Sequence, residues 1–404
     1  MLFVILALTS ANIADAVTAV VTNGDTSVYG AITGWDTSPV DNMDSLFKDF
    51  STFNEDISSW DTSSCTSMEY IFSGAEAFNI PIDGWDVSKV TSLRQAFYNA
   101  QVFDQNIGGW DVSSVTSLLE SFTNAFVFNQ DIGSWDLSSC TSLKSALRGG
   151  IFNQDISGWD VSQVVEMDSL FNTNAAFNQD ISSWDTSSNT NLNSFVSLAS
   201  SFNADISGWD TTNLQGLYGA FNGASSFNQD LNSFDISKCT NLGELFTGAS
   251  SFNSPIGAWD TSSVIGLGGA FNGATVFNQN INGWDTSKNR AMNNLFNGAV
   301  AFNQPLDNWD TSAVVNYCGA IFSGCDVFNQ DISSWDMSGC TDFQTIFANT
   351  DEFNQPLDNW DTSSLVSVGY AFQAAKKFNQ PVSHHLILFL FFSVSVTHTH
   401  TLSK

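Results

Sequence analysis

Aspartate follows an aromatic residue at Asp36, Asp61, Asp86, Asp111, Asp136, Asp160, Asp185, Asp210, Asp235, Asp260, Asp285, Asp310, Asp336 and Asp361. Two residues further on stands Ser, or Thr212 in one copy. If these carboxylates stack at about 5 Å, each neighbouring pair repels by roughly 0.8 kcal/mol in a water-like dielectric. Something must offset that repulsion along the whole series. Hydrogen bonds from Ser, Thr and backbone N–H at a helix start would do so, and so would bound cations. The candidate cation ladder is Asp61, Asp86, Asp111, Asp136, Asp160, Asp185, Asp210, Asp235, Asp260, Asp285 and Asp310, with calcium the ion that carboxylates would take. A second carboxylate column (Asp56, Asp131, Asp155, Asp180, Asp205, Asp230, Asp331) gives way to Pro81, Pro255, Pro305, Pro356 and Pro381. A required ligand would not be replaced by proline, so that column reads as a solvated turn. Paired carboxylates can hydrolyse glycosides, but these recur in every copy, whereas a catalytic site is a local departure from a repeat. All four histidines (His384, His385, His398, His400) lie beyond the last copy, leaving the repeats no imidazole base or zinc ligand. The expectation is a non-enzyme with no catalytic residues and no cofactor other than calcium.

The elements that position these residues follow from the period. Tryptophan precedes the aspartate in thirteen copies and Phe234 does so in the fourteenth, at steps of 25 residues, with one of 24 (Trp135 to Trp159) and one of 26 (Trp309 to Trp335). A period in this range marks a stacked array whose core grows lengthwise. Ile or Leu sits three residues before the aromatic and Phe seven before it, with Val28 the odd first member. An extended segment through Ile and Trp, repeated in each coil, predicts a parallel sheet. After it, Cys65, Met68, Phe72 and Ala75 are spaced three and four apart, like one helix face. Ser three after the aromatic would cap that helix, and Gly or Asn two after its Phe (Gly74, Asn99, Asn124, Gly149) would stop it. Each copy therefore reads as strand, short helix or 3-10 turn, stop and return. The fold class is an α/β repeat solenoid: a leucine-rich-repeat-like, right-handed coil with a parallel sheet and short helices or 3-10 turns. The Asn after the Phe in thirteen copies, replaced once by Asp104, predicts an asparagine ladder bonding backbone groups between coils. The position two after the aromatic mixes Thr with Val, Leu and Met, which indicates partial burial rather than a regular Thr face for ice.

Net charge is −30 with eleven Lys and Arg, which argues against nucleic acid. Charged residues are only 13% and hydrophobic ones 43%, so the chain is not a disordered acidic tail. Residues 1–16 combine an apolar run, Leu2 to Leu8, with the small-x-small pattern Ala14-Asp15-Ala16, and read as a secretory signal peptide; 17–27 are a lead-in. The solenoid of about 14 repeats spans 28–382. Cys65, Cys140, Cys239 and Cys340 occupy a buried valine column several coils apart, too far to bridge one another, which leaves Cys318 with Cys325 as the pair that could form. The tail, 383–404, shares no column with the repeats. Its apolar run, Leu386 to Val396, is too short for a spanning helix. It reads as foreign sequence after a truncated array, or as a cap or membrane-associated segment. An uncapped last coil would invite self-association.

The motif Phe-x-x-x-Ile-x-x-Trp-Asp-x-Ser-x-Val-Thr-x-Leu/Met-x-x-x-Phe-x-Gly-Ala resembles the BspA-type leucine-rich-repeat surface proteins. It is most similar to the branch first described in mycoplasma surface lipoproteins, and Phe322-Ser323-Gly324-Cys325 looks like the Phe-x-Gly-Cys corner of treponemal repeats. The resemblance implies an extracellular or surface-displayed array, sometimes adhesive, with no shared catalytic residues. The lipobox cysteine is missing, since no Cys precedes Cys65. The expected function is a secreted or cell-surface scaffold binding protein or glycan. The alternative is a calcium-dependent structural protein using the Asp ladder. Few aromatics stand outside the core columns; Tyr98, Tyr218 and Phe126 are the ones that would favour glycan.

Overall fold

The computed structural model describes residues 7–382 and Leu386. The expected foreign or capping tail therefore lies outside the described residues, Leu386 aside. The chain divides into two compact units, Met1–Gly216 with Gly223–Gln229, and Leu217–Asn222 with Asp230–Lys404. Within each unit the copies stack coil on coil.

One coil shows how the sequence builds the rest. After Trp60, a turn closes with the Cys65 N–H donating to Thr62 O at 2.8 Å. Then the backbone amides alternate. Met68, Tyr70, Phe72 and Gly74 donate to Ser92, Arg94, Ala96 and Tyr98 of the next coil, while Ile71, Ser73 and Ala75 donate three residues back within their own coil. The segment expected to be helix is thus the inter-coil ladder. Parallel bridges run through it, Ser92 to Ser117 to Ser142 to Glu166 in the first unit and Asn241 to Gly266 to Ala291 in the second. The Ile–Trp segment expected to be strand is a turn instead, Trp85 N–H donating to Ile82 O at 3.1 Å.

The physical reason lies in two left-handed residues per coil, ten and fourteen after the aromatic: Tyr70 (φ 58) and Gly74 (φ 73), then Gln95 (φ 51) and Asn99 (φ 56). Positive φ every fourth residue is what the third position of type II turns demands, and it cannot continue an α-helix. Successive turns of this kind also point a side chain inward every three or four residues. The Gly/Asn column is left-handed as expected, but it links successive turns and stops no helix. The other left-handed column is mostly non-glycine, at roughly 1 kcal/mol or more per residue. Four inter-coil hydrogen bonds per rung, each worth about 1 kcal/mol, offset it.

Among the described residues the chain forms α1, Ile13–Val17, which runs into one π turn, Thr18–Thr22, and a 3-10 turn at Ile32–Gly34. Leu8, Ile13, Ala16 and Val17 are buried, and Ser10 Oγ donates to Asp41 Oδ1. Two strands long enough to name, β1 (Asn316–Tyr317) and β2 (Cys340–Asp342), pair in parallel with a bulge between Asn316 and Tyr317. That bulge takes up the extra residue of the 26-residue step. The 24-residue step is closed by consecutive left-handed glycines, Gly149 and Gly150, both at φ 77. A Cβ at Gly150 would sit 2.9 Å from Ala125 O.

The core is three aromatic columns. Phe72 and Phe78 stack within one coil at 3.8 Å between ring centroids, Phe78 and Phe103 stack across coils at 5.8 Å, and Trp60 and Trp85 at 6.3 Å. From Trp60 onward each indole N–H is satisfied by the Ile or Leu carbonyl of the preceding coil, as in Trp85 to Ile57 O at 3.2 Å and Trp309 to Ile281 O at 3.1 Å, whereas Trp35 donates to Gly30 O of its own coil at 3.4 Å. The mixed column two after the aromatic is buried, and its threonines, such as Thr62, bond the next coil's Asp carbonyl at 2.9 Å. The coil with an irregular sequence around Asn189 to Ser200 keeps this geometry: Val196 replaces the Phe in the core, and Leu198 adopts the left-handed position at φ 61.

The cysteine expectation is corrected. Cys318 bonds Cys340, with Cα atoms 5.8 Å apart, not Cys325. The bulged register sets Asn316 opposite Cys340, which brings the Val column of one coil against the Leu column of its neighbour. Cys325 stays a buried thiol donating to Phe296 O at 2.8 Å. Burial also pushes the thiols of Cys65 and Cys140 up to about 11 and that of Cys239 to about 12.

Candidate functional site

The aspartate ladder forms an exposed edge in which every carboxylate turns back on its own coil. Asp61, Asp86, Asp111, Asp136, Asp160 and Asp185 accept, through Oδ1, the N–H two residues on at 2.9–3.1 Å. Asp210, Asp235, Asp260, Asp285 and Asp310 do the same at 2.9–3.0 Å. In several rungs the hydroxyl donates as well, Ser88 Oγ to Asp86 at 2.7 Å and Ser287 Oγ to Asp285 at 2.7 Å. The donors are the expected ones, the Ser or Thr hydroxyl and the backbone N–H, but they close an Asx turn that opens no helix, so the serine caps none. The serine hydroxyl, then its amide, hold the carboxyls of Asp61, Asp86, Asp136 and Asp285 below the usual range. Repulsion from the neighbouring rung acts oppositely and is the weakest influence at Asp36 and Asp185. The offset demanded by stacked charge is therefore present within each coil. The structure brings each aspartate together with its own Ser or Thr; among the described residues no three His, Cys, Asp or Glu side chains converge as metal ligands. The second carboxylate column makes similar turns, Asp56 with Ser58 and Asp205 with Ser207.

The asparagine corner works between coils. Asn79 N–H donates to Asn54 Oδ1 at 2.9 Å, Asn178 N–H to Asn153 Oδ1 at 3.0 Å, and Asn329 N–H to Asn303 Oδ1 at 3.0 Å. The following Gln reinforces it, Gln330 Nε2 reaching Asn303 Oδ1 at 2.9 Å. Asp104 serves equally, accepting from Asn129 N–H at 3.0 Å and Gln130 Nε2 at 2.9 Å. The rung needs an acceptor, and carboxylate supplies one.

A third surface, the outer face of the inter-coil ladder, is neither edge nor corner. Nine residues after the aromatic it carries Glu69, Arg94, Leu119, Lys144, Asp168 and Asn193 in successive coils. Lys144 pairs with Asp168 at 2.8 Å, and Lys48 and Arg94 lie over the Tyr70 ring at 5.0 and 5.7 Å. In the second unit the same column passes from Tyr218 through Gly243 and Gly268 to Asn293, and a depression opens there. Sequence reasoning singled out Tyr218 as an exposed aromatic. It missed Glu244, Asn241 and Asn293, whose signal is visible only once coils are aligned: two successive glycines in a column otherwise occupied by side chains.

Among the described residues no helix is long and apolar enough to cross a membrane. The repeat family described as "Mycoplasma protein of unknown function, DUF285" matches residues 16–135, 116–234, 215–320 and 314–387, a continuous run over most of the chain. No curated protein matches it. Among solved structures, the crystal structure of the TLR13–ssRNA13 complex is similar at 9% identity and a TM-score of 0.22, over 93% of this chain and 53% of that one. The chain thus spans about half the length of that structure's chain.

Proposed function

We propose, on the premise that the chain belongs to the DUF285 family of mycoplasma proteins, that it is a non-catalytic binding scaffold of BspA type, secreted or displayed on the cell surface. It engages a protein or glycan through the outer face of the inter-coil ladder. The observation that carries this reading is where the copies differ from one another. Trp, Phe, Ile, Asp and Asn repeat from coil to coil, whereas Glu69, Arg94, Leu119 and Lys144 change type and charge along one face. Recognition of a specific partner needs such a non-uniform surface. An aromatic-filled interior leaves the surface as the place to bind. The Cys318–Cys340 bridge supports an oxidising, extracytoplasmic setting.

The test is binding of the full chain to a panel of immobilised matrix proteins and glycans, with two variants. Lys144→Glu with Arg94→Glu on the ladder face is expected to abolish binding. Asp86→Ser with Asp111→Ser on the acidic edge is expected to leave it intact. The reverse outcome, or binding that requires calcium, moves function to the acidic edge and supports a calcium-dependent structural protein instead.

A further inference from the structure

The depression on the second unit's ladder face is built rather than incidental. Its volume is about 480 Å³, and its walls are Tyr218 and Asn293 with Thr240, Asn241 and Glu244 between them. Gly243 and Gly268 form the floor. A Cβ at Gly243 would lie 3.1 Å from Tyr218 Cε2 and 3.3 Å from Gly268 O; one at Gly268 would lie 2.9 Å from Asn293 Oδ1. Both walls therefore lean over the glycines. At about 4.8 Å per rung, Tyr218 and Asn293 are about 14 Å apart along the stack. The Tyr218 hydroxyl bonds the Glu244 carboxylate, and burial together with that bond raises the phenol to about 12, so it stays a neutral donor holding the ring in place.

We propose that this trough is a saccharide subsite taking one or two neutral pyranose units, a proposal that rests on the scaffold reading above. Tyr218, a residue 38% exposed, offers its ring to the C–H side of a sugar. The Asn241 and Asn293 amides and the Thr240 hydroxyl offer mixed donors and acceptors to its hydroxyl edges, while Glu244 is engaged by the Tyr218 hydroxyl and by Asn222 Nδ2 at 3.2 Å. An extended peptide adding as a strand is disfavoured, because the ladder amides are already used: Leu242 and Glu244 donate to Gly266 and Gly268, and Leu267 and Gly269 to Ala291 and Asn293. A net charge of −30 disfavours acidic sugars.

Saturation-transfer NMR on the full chain with chitotriose, cellotriose, maltotriose and sialyllactose tests this. At least one neutral triose is expected to bind and sialyllactose to give no transfer. Tyr218→Ala should weaken the neutral triose about tenfold or more while Tyr218→Phe stays within about twofold, each variant unfolding at the parent midpoint. Binding undiminished in Tyr218→Ala, sialyllactose binding as well as the neutral trioses, or no triose binding by a chain that still binds the immobilised panel would overturn the subsite and leave the scaffold standing. Failure to bind either the trioses or the panel would overturn the scaffold reading along with it.

Discussion

The aspartate after each tryptophan and the asparagine after each phenylalanine are nearly equal in regularity, yet they hold different things together. Asp285 accepts from Ser287, two residues away; Asn303 accepts from Asn329 and Gln330, one coil away. The first closes a local turn at an exposed edge, where water can replace the bond. The second joins coils at a half-buried corner, where the amide left behind has no ready substitute. Regularity alone does not tell a stabilising rung from a decorative one. The partner's distance along the chain does.

Removing a corner acceptor should therefore cost most. Asn303→Ala leaves the Asn329 N–H without its acceptor, while Gln330 Nε2 keeps the Asn303 carbonyl at 3.1 Å, and is expected to destabilise by about 2 kcal/mol, read from the denaturant midpoint. Asn303→Asp is expected to cost well under that, as Asp104 indicates; equal losses in both variants would mean the amide donors matter too. Next comes Trp309→Phe, which deletes the indole N–H bonded to Ile281 O and should cost about 1–2 kcal/mol, leaving a buried carbonyl short of a donor. Smallest is the edge. Asp285→Ala should cost no more than about 0.5 kcal/mol, the low end for a lost cap.

Acid should separate the two rungs as well. The carboxyls of Asp86 and Asp285 are held below the usual carboxylate range by the hydroxyl and amide of Ser88 and Ser287. Their contribution is thus fully present above the unfolded value and is lost as pH falls through the folded one. The unfolding midpoint is expected to drop below about pH 4, and replacing Asp86 and Asp285 by Asn should flatten that limb. The asparagine corner does not titrate. A midpoint that falls between pH 7 and 5 in step with these substitutions would contradict the assignment.

Much of this was legible from residue columns. The Ile, Trp and Phe positions are buried as their periodicity required, the asparagine ladder runs between coils, and Gly74 and Asn99 are left-handed. The helix was not legible in its true form, because linked turns with positive φ at Tyr70 and Gly74 present apolar residues at the same three-and-four spacing as a helix face. The disulfide was hidden for a different reason. One extra residue at Asn316–Tyr317 alters which columns meet, and no single coil contains both partners. The trough needed coil-on-coil register before Gly243 and Gly268 could be seen as neighbours.

An acidic edge completed by the chain's own Ser and Thr, with recognition proposed for the ladder face, is what separates the scaffold from a calcium-dependent structural protein. The most direct test is the thermal unfolding midpoint of the full chain in millimolar calcium and then in excess chelator. An unchanged midpoint is expected, since each carboxylate is already bonded to its own Ser or Thr. A fall of many degrees on chelation would show that cations belong to the edge and would contradict it.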